Sequence, residues 1–239
     1  YVKRGRVLVV TAHPDDESMF FGPLILELVS AGVGVDVLCL STGDADGLGE
    51  ERSRELLEAC VKLGVEVEGV TCLDDATLRD GMGEEWREED VGDVVADHVA
   101  MTKPVAIVTF DAHGVSSHPN HIDTHRGVLR MVKEWPSRHS TTSLPTSPPL
   151  FLLETVPLWR KFLGRGEMLF HTFFPLLSSS STPLHPSTPP YLYYFPTSQA
   201  DTITNAMLQH KTQLVWFRWL YLLTSSYLFL NTIIPARIK

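Results

Sequence analysis

The feature that most constrains the fold is a regular alternation, over residues 1–134, of short apolar runs with longer amphipathic segments. The apolar runs are rich in β-branched residues and predict buried strands at 6–11, 35–40, 67–73 and 104–110. The segments between them have apolar residues at helical spacing and predict helices at 23–31, 50–63, 84–101 and 120–133. This alternation favours an α/β fold, namely a Rossmann-like, doubly wound, mostly parallel sheet with helices on both faces.

The remaining chain departs from the alternation and predicts two further parts of the same domain. Residues 1–134 are expected to form the Rossmann-like core, and residues 135–200 to add the remaining sheet element, a strand at 151–156, between two insertions. Both insertions, 136–149 and 175–190, are rich in Ser, Thr and Pro, which is typical of irregular structure. Residues 201–239 are expected to close the domain with an apolar helix.

That last helix is predicted over 214–234, the most hydrophobic segment of the chain, which is long enough to cross a bilayer. However, four polar residues recur there every seven positions and would form one stripe on a helix: Lys211, Arg218, Ser225 and Thr232. Three interpretations stay open: a helix packed on the sheet with its stripe outward, a helix lying in a membrane interface, and a membrane-spanning helix.

Charge is distributed unevenly along the chain. The formal net charge is −9, made up of −14 in residues 1–134 and +5 in residues 135–239. The acidic balance argues against nucleic acid as a partner, whereas the basic, aromatic-rich second half suits a lipid with an anionic headgroup. Three cysteines without a CxxC pair predict a reduced compartment and buried thiols: Cys39, Cys60 and Cys72.

Three consecutive acids follow the first predicted strand. The sequence AHPDDE, residues 12–17, places His13, Asp15 and Asp16 where the carboxyl end of a strand meets the ligand crevice of such folds. Adjacent carboxylates repel one another, so this crowding is understandable if a cation sits among them. A glycine-rich phosphate loop is absent here, and the sequence therefore gives no support for dinucleotide binding.

A second cluster follows the fourth predicted strand. The sequence GVSSHPNH, residues 114–121, places His118 and His121 three positions apart at the start of a helix. Strands one and four are neighbours in doubly wound sheets, so the two clusters are expected to meet. Two histidines and a carboxylate around an open position are typical of catalytic zinc, which acidifies water beside a carboxylate base. A solvated acidic loop with unrelated surface histidines is the alternative.

Together the two motifs resemble the PIG-L/LmbE family of zinc-dependent N-deacetylases. The sequence STGDADGLGEERSRELLEACVKLGV, residues 41–65, resembles that family's loop after strand two and its arginine-containing helix. The sequence HKTQLVWFRWLYLL, residues 210–223, resembles the eukaryotic branch, which acts on N-acetylglucosaminyl-phosphatidylinositol. The resemblance implies an LmbE-like fold and the second step of glycosylphosphatidylinositol (GPI) anchor synthesis, at the cytoplasmic face of the endoplasmic reticulum membrane.

Carried over position by position, the resemblance implies a role for each motif residue. His13, Asp16 and His121 would be the ligands of zinc, or of another divalent metal. Asp15 would be the general base and later the acid that protonates the leaving amine. His118 would polarise the acetyl carbonyl and stabilise the tetrahedral oxyanion.

Two further residues receive roles outside the motifs. Arg52 would reach the phosphate or inositol of the substrate; the alternative is an exposed helix arginine paired with nearby glutamates. Asp111 would orient His118 from behind; the alternative is a turn residue. His113 and His125 are expected to be solvated or to pack in the structure.

The leading hypothesis from the sequence is hydrolysis of the acetamide of N-acetylglucosaminyl-phosphatidylinositol at a membrane surface. One alternative is an LmbE-like deacetylase acting on a soluble N-acetylglucosamine conjugate. Another is a non-catalytic, membrane-associated scaffold. A metal-dependent phosphoesterase is disfavoured because two-metal sites usually need more ligands than the sequence offers.

Overall fold

Seven strands, in the part of the chain that the structure describes, join into one sheet. The structure is a computed structural model that describes residues 5–139, 146–167, 169, 191–194 and 197–238. The strands are β1 Arg6–Thr11, β2 Gly34–Cys39, β3 Val70–Cys72, β4 Ala106–Phe110, β5 Leu150–Leu153, β6 Tyr191–Tyr194 and β7 Leu230–Pro235. Their order is β3-β2-β1-β4-β5-β7-β6; β1 to β5 are parallel, and β7 is antiparallel to both its neighbours.

The helices cover this sheet, as the α/β prediction requires. They are α1 Asp16–Met19, α2 Gly22–Ser30, α3 Gly49–Lys62, α4 Glu88–Thr102, α5 Gly114–Ser117, α6 Pro119–His139, α7 Leu158–Lys161, α8 Thr197–Met207 and α9 Trp216–Thr224. The central strands β1 and β4 are almost wholly buried, which explains their continuous apolar sequences. The predicted fold class is therefore confirmed.

The two sequence motifs meet because their strands are neighbours. β1 pairs in parallel with β4, with Val7 opposite Ala106 and Val9 opposite Val108. Parallel strands end at the same edge of a sheet. The loop after Thr11 and the loop after Phe110 therefore open into one crevice, as the sequence predicts.

Several predicted boundaries differ from the observed ones. α6 continues through Pro136 to His139, so the first Ser/Thr/Pro-rich stretch begins as helix. The predicted strand at 151–156 is Leu150–Leu153, because the chain beyond it leaves the sheet to meet the β4 loop. The rest of the first stretch, 140–145, and the second stretch, 175–190, lie outside the described residues.

The prediction of a single apolar helix over 214–234 is wrong. α9 ends at Thr224, the backbone of Ser225 is extended, and the chain then enters β7 between β5 and β6. The β7 sequence LNTIIP is rich in β-branched residues and ends in proline, which favours strand over helix. The four polar residues of the predicted stripe therefore do not lie on one helix face, and two of them, Ser225 and Thr232, are buried. A helix with the length and apolarity for a bilayer crossing is not found among the described residues.

Asn231 ties β7 to the turn before α2. Its Oδ1 accepts from the Leu24 backbone N–H at 3.1 Å, and its Nδ2 donates to the Phe20 carbonyl at 2.8 Å. The Leu24 N–H belongs to the first turn of α2, where backbone donors have no partner within the helix. One buried side chain near the C-terminus therefore completes a helix that starts 22 residues into the chain.

We expect Asn231→Ala to lower the free energy of unfolding by about 2 kcal/mol or more, because it leaves two buried backbone groups without partners. Thr232→Val is the matched control. The Thr232 hydroxyl is buried without a hydrogen-bond partner among the described residues, so its replacement by a methyl group should leave stability unchanged or raise it. Urea unfolding of both variants checks the pair. Equal losses would contradict the role given to Asn231.

Candidate active site

Asp16, in the first turn of α1, organises the loop after β1. Its Oδ2 accepts the backbone N–H groups of Ala12 and His13 at 3.0 and 2.8 Å, which folds the loop back on itself. Its Oδ1 lies 3.2 Å from Nε2 of His121 on α6. Burial opposes ionisation of this carboxyl, but the contact with His121 outweighs it, and the pKa of Asp16 is lowered.

His121 presents Nε2 to this carboxylate. Its Nδ1 lies 3.0 Å from the Gly114 carbonyl, and its ring stacks on Phe110 with a centroid distance of 4.2 Å. Since a carbonyl can only accept, Nδ1 donates a proton to it, and in the neutral ring Nε2 is then the nitrogen with the lone pair. That lone pair faces an Asp16 oxygen, which is also an acceptor. Two acceptors in contact require a proton or a cation between them.

His13 completes the same arrangement from the opposite side. Its Nε2 lies 3.0 Å from Asp80 Oδ1 and 3.1 Å from Asn120 Oδ1, and Nε2 therefore donates to one of these acceptors. In the neutral ring, Nδ1 then has the lone pair. This Nδ1 lies 3.9 Å from Asp16 Oδ2. The predicted ligands His13, Asp16 and His121 therefore converge, and two neutral imidazoles with one carboxylate are a donor set that suits a divalent cation.

His118 borders this cluster. Its ring centroid lies 4.7 Å from that of His13 and 5.0 Å from that of His121, and the three rings offer ligand atoms within 4.8 Å of one another. Burial and then the two neighbouring histidines lower the pKa of His118 to about 4. Its Nδ1 accepts from the Asn120 backbone N–H at 3.3 Å. A neutral ring held in this way has an Nε2–H to donate into the crevice.

The three adjacent acids are all buried, and each has its own partner. Asp15 Oδ2 lies 2.8 Å from Arg218 of α9. Glu17 Oε1 lies 2.7 Å from Nε2 of His210, which follows α8. Burial raises the pKa of Asp15, and the Arg218 charge offsets part of that effect. The crowding is therefore resolved by two partners from the C-terminal segment as well as by the cluster around Asp16.

Arg52 is buried, and its guanidinium donates to the carbonyls of Gly43 and Pro14 at 2.7 and 2.9 Å, and to Asp80 at 3.1 Å. It therefore holds the turn that carries His13 and Asp15. The alternative from the sequence, an exposed helix arginine, is wrong. The predicted contact of Arg52 with the substrate stays a prediction.

Asp111 acts on a loop rather than on the His118 ring. Its Oδ2 accepts a hydrogen bond from the Thr155 N–H at 2.7 Å. Its Oδ1 accepts from the Thr155 hydroxyl at 2.6 Å and from the backbone N–H groups of His113 and Gly114. The expectation that it orients His118 directly is thus corrected. His113 is exposed, whereas His125 is buried with Nδ1 3.0 Å from the Phe110 carbonyl.

Three residues at the site received no role from the sequence: Asp80, His210 and Arg218. Asp80 lies in an irregular loop between β3 and α4, where no periodic pattern singles it out. For His210 and Arg218, the sequence does contain an indication of a role. The buried acids after β1 require counter-charges, and Arg218 is a cation in a strongly apolar segment.

Comparisons with known proteins show which proteins the chain is similar to. The family model for PIG-L, described as GlcNAc-PI de-N-acetylase, matches residues 8–132. The N-acetylglucosaminyl-phosphatidylinositol de-N-acetylase of Bos taurus is 33% identical over 228 residues, covering 95% of this chain and 82% of the relative. The 1D-myo-inositol 2-acetamido-2-deoxy-alpha-D-glucopyranoside deacetylase of Thermomonospora curvata is 31% identical over 152 residues, covering 52% of this chain and 51% of the relative.

A solved structure shares the fold. N,N'-diacetylchitobiose deacetylase from Pyrococcus horikoshii matches with a TM-score of 0.67 at 18% identity, covering 97% of this chain and 84% of that one. Sequence and site together define an amide hydrolase of the deacetylase class. Within that class, the chain belongs to the PIG-L family of GlcNAc-PI de-N-acetylases, and the resemblance seen in its motifs is confirmed.

Both motif loops contain non-glycine residues with positive φ, a strained conformation that occurs preferentially at functional sites. Asp15 has φ 128°, and Val115 and Ser117 have φ 57° and 59°. We expect Ser117→Gly to raise the free energy of unfolding by about 0.5–1 kcal/mol, because the left-handed region is unfavourable for a side chain and the Ser117 side chain is exposed. Thermal unfolding measures the change.

Ser116→Gly is the matched control. Ser116 is exposed in α5 and has no positive φ, so glycine should lower stability there by about 0.5–1 kcal/mol. The same sign for both substitutions would show that backbone strain at Ser117 is not the cause.

Proposed function

We propose that the protein hydrolyses the N-acetyl group of N-acetylglucosaminyl-phosphatidylinositol, giving acetate and glucosaminyl-phosphatidylinositol. The observation that carries this is the convergence of His13, Asp16 and His121 on one point, with Asp15 and His118 beside it. The similarity to the bovine relative supports the choice of substrate, because it includes the C-terminal segment that supplies His210 and Arg218. This reaction belongs to GPI-anchor synthesis, which we place at the cytoplasmic face of the endoplasmic reticulum membrane.

The proposed cofactor is zinc. It would be held by Nδ1 of His13, Nε2 of His121 and the carboxylate of Asp16, whose lone pairs face one another. When bound, such a cation supplies Lewis acidity, which makes water more acidic and polarises a carbonyl. The hydrogen bonds of His13 to Asp80 and of His121 to the Gly114 carbonyl fix the ring orientations that this requires.

The side chains around the cation divide the remaining chemistry between them. Asp15 accepts the proton of the attacking water, and its raised pKa suits a base that must later give the proton back. His118, neutral at physiological pH, donates its Nε2–H to the acetyl oxygen as negative charge develops there. Asp15 then protonates the departing amine, which leaves acetate and glucosaminyl-phosphatidylinositol with a free amino group on its sugar.

A lipid substrate requires contact with a membrane, and α9 provides a suitable surface. Its inner face contacts the site through Arg218 and through Tyr221, which donates to the Met19 carbonyl. Its outer face exposes large apolar side chains at 50–76%: Trp216, Phe217, Trp219, Leu220 and Leu223. The segment after α7 adjoins it, because Gly164 approaches the Thr224 carbonyl. Leu158 and Trp159 of α7 and Phe162 and Leu163 just after it are exposed as well.

We propose that this outer face lies in the membrane interface. Tryptophan beside leucine and phenylalanine is typical of surfaces that enter the headgroup region. Glu167 is the only acid among the described residues of 155–169, and it is buried beside Arg160. An anionic leaflet therefore meets little repulsion on this side of an otherwise acidic chain.

Replacing the proposed base tests the reaction. We expect Asp15→Asn to lower kcat for acetate release from a short-chain N-acetylglucosaminyl-phosphatidylinositol by about 10²–10⁴-fold. Metal content should be retained, because Asp15 is not a ligand in this scheme. A chelator should abolish wild-type turnover, and zinc should restore it.

Asp97→Asn makes the same change at an exposed site on α4 and should keep full activity. Undiminished turnover in Asp15→Asn would exclude Asp15 as the base. Turnover of a soluble N-acetylglucosamine–inositol conjugate, without turnover of the lipid, would favour the alternative substrate class. A well-folded protein that binds no zinc and turns over neither substrate would favour the scaffold hypothesis.

The membrane face makes a separate prediction. We expect Leu223→Ser to weaken binding to vesicles of anionic phospholipid about tenfold, since burying one leucine is worth about 1.5–3 kcal/mol. Met101→Ser removes an equally exposed apolar side chain from the end of α4 and should leave binding unchanged. Vesicle flotation measures both variants. Equal binding of wild type and Leu223→Ser would exclude α9 from the contact.

A further inference from the structure

The proposed substrate carries a phosphodiester on the inositol that bears the acetylated sugar, and this inference rests on that proposed function. A phosphodiester is a permanent anion, and proteins bind such groups with lysine and arginine. Arg52, which the sequence suggested for this purpose, is occupied by Gly43, Pro14 and Asp80. The phosphate therefore requires a further cation at the mouth of the site.

Lys161, the last residue of α7, is a cation near the candidate site. It is half-buried, and no carboxylate among the described residues pairs with it. Its Nζ lies 5.7 Å from the ring centroid of Phe20 and 6.0 Å from that of Tyr227. Burial lowers the pKa of this lysine, and the nearby charge of Arg218 lowers it further. Binding of an anion next to this ammonium group would stabilise its charged form.

Arg218 has unused donors as well. Its Nη2 pairs with Asp15. Among the residues that the structure describes, its Nη1 has one hydrogen-bond partner, the sulfur of Met19 at 2.8 Å, which is a weak acceptor. Its Nε–H is buried and has no acceptor among the described residues. A buried donor without a partner is unfavourable. A guanidinium can hold a carboxylate on one edge and a phosphate oxygen on another.

Both cations contact the same turn, which borders the metal cluster. Arg218 touches Met19, and Lys161 lies over the neighbouring Phe20. The Phe20 ring lies 5.8 Å from the ring of His121. An anion between the two cations would therefore lie next to the proposed base and ligands, as a phosphate one sugar ring away from the acetamide must. We propose that Lys161 and Arg218 form the subsite for the phosphodiester of the substrate.

A pair of water-soluble substrates that differ only in the phosphate tests this subsite. One is N-acetylglucosaminyl-glycerophosphoinositol, and the other is the same glycoside of free inositol. We expect Lys161→Met to raise KM for the first substrate about tenfold, because the variant loses one charge-assisted hydrogen bond to the phosphate. KM for the second and kcat for both should stay near the wild-type values. Lys161→Arg keeps the charge and should restore most of the affinity.

Arg165→Met is the control variant. It removes the same charge from the segment after α7, but Arg165 is exposed and lies over Phe229, 5.4 Å from the ring centroid. It should change neither KM. Because neither substrate needs a bilayer, an effect seen here concerns the substrate phosphate and not the bulk anionic lipid. Equal changes of Lys161→Met on both substrates, or none on either, would overturn the proposal.

Binding without turnover separates this inference from the proposed reaction. Calorimetric titration with glycerophosphoinositol and with inositol should show tighter binding of the phosphate-bearing ligand to the wild type. Lys161→Met should reduce this difference in affinity about tenfold. If it does so while neither glycoside is hydrolysed, the subsite stands and the proposed reaction is wrong. If the wild type hydrolyses both glycosides but binds both ligands alike, the reaction stands and the subsite is wrong.

Discussion

Three adjacent buried carboxylates are the constraint on which the rest of this structure depends. An unpaired buried charge costs several kcal/mol, so Asp15, Asp16 and Glu17 cannot occupy the end of β1 unless each has a partner. Those partners come from distant parts of the chain, with Arg218 on α9, His121 on α6 and His210 after α8. The catalytic loop is thus stable only when the C-terminal segment is folded against it. That segment belongs to the active site as much as the two motifs do.

Backbone strain is concentrated in the same two loops. Asp15, Val115 and Ser117 all have positive φ, which is unfavourable for residues with side chains and above all for the β-branched Val115. Such conformations persist only where the surroundings hold them. Here Arg52 holds the turn at Pro14, and Thr155, held by Asp111, accepts the Val115 N–H. Arg52 and Asp111, which the sequence suggested for substrate binding and for orienting His118, therefore hold the backbone that positions the candidate catalytic groups.

The sequence allowed the parallel part of the sheet and the meeting of the two motifs to be predicted, because those depend on local patterns. β-branched runs mark β1, β2 and β4, and the pairing of β1 with β4 brings the two motifs together. The segment 214–234 was predicted wrongly because a seven-residue spacing of polar residues suits a helix, while the buried Asn231 and the strand at β7 depend on contacts with Leu24 and β5. Asp80 has no local signature, and its role depends entirely on His13 and Arg52.

α9 connects the proposed membrane face to the candidate active site. Arg218 and Tyr221 face the site, while Trp216 and Leu223 on the same helix are 75% and 76% exposed. A helix of nine residues is too short to be stable alone and takes its order from what it contacts. If a membrane covers the outer face of α9, the helix should become more ordered. The Arg218 guanidinium on its inner face would then keep a fixed position beside Asp15. A substrate that rests in the same membrane would then meet the proposed phosphate subsite and the proposed base in one fixed geometry, whereas a soluble conjugate would meet the same residues without that support.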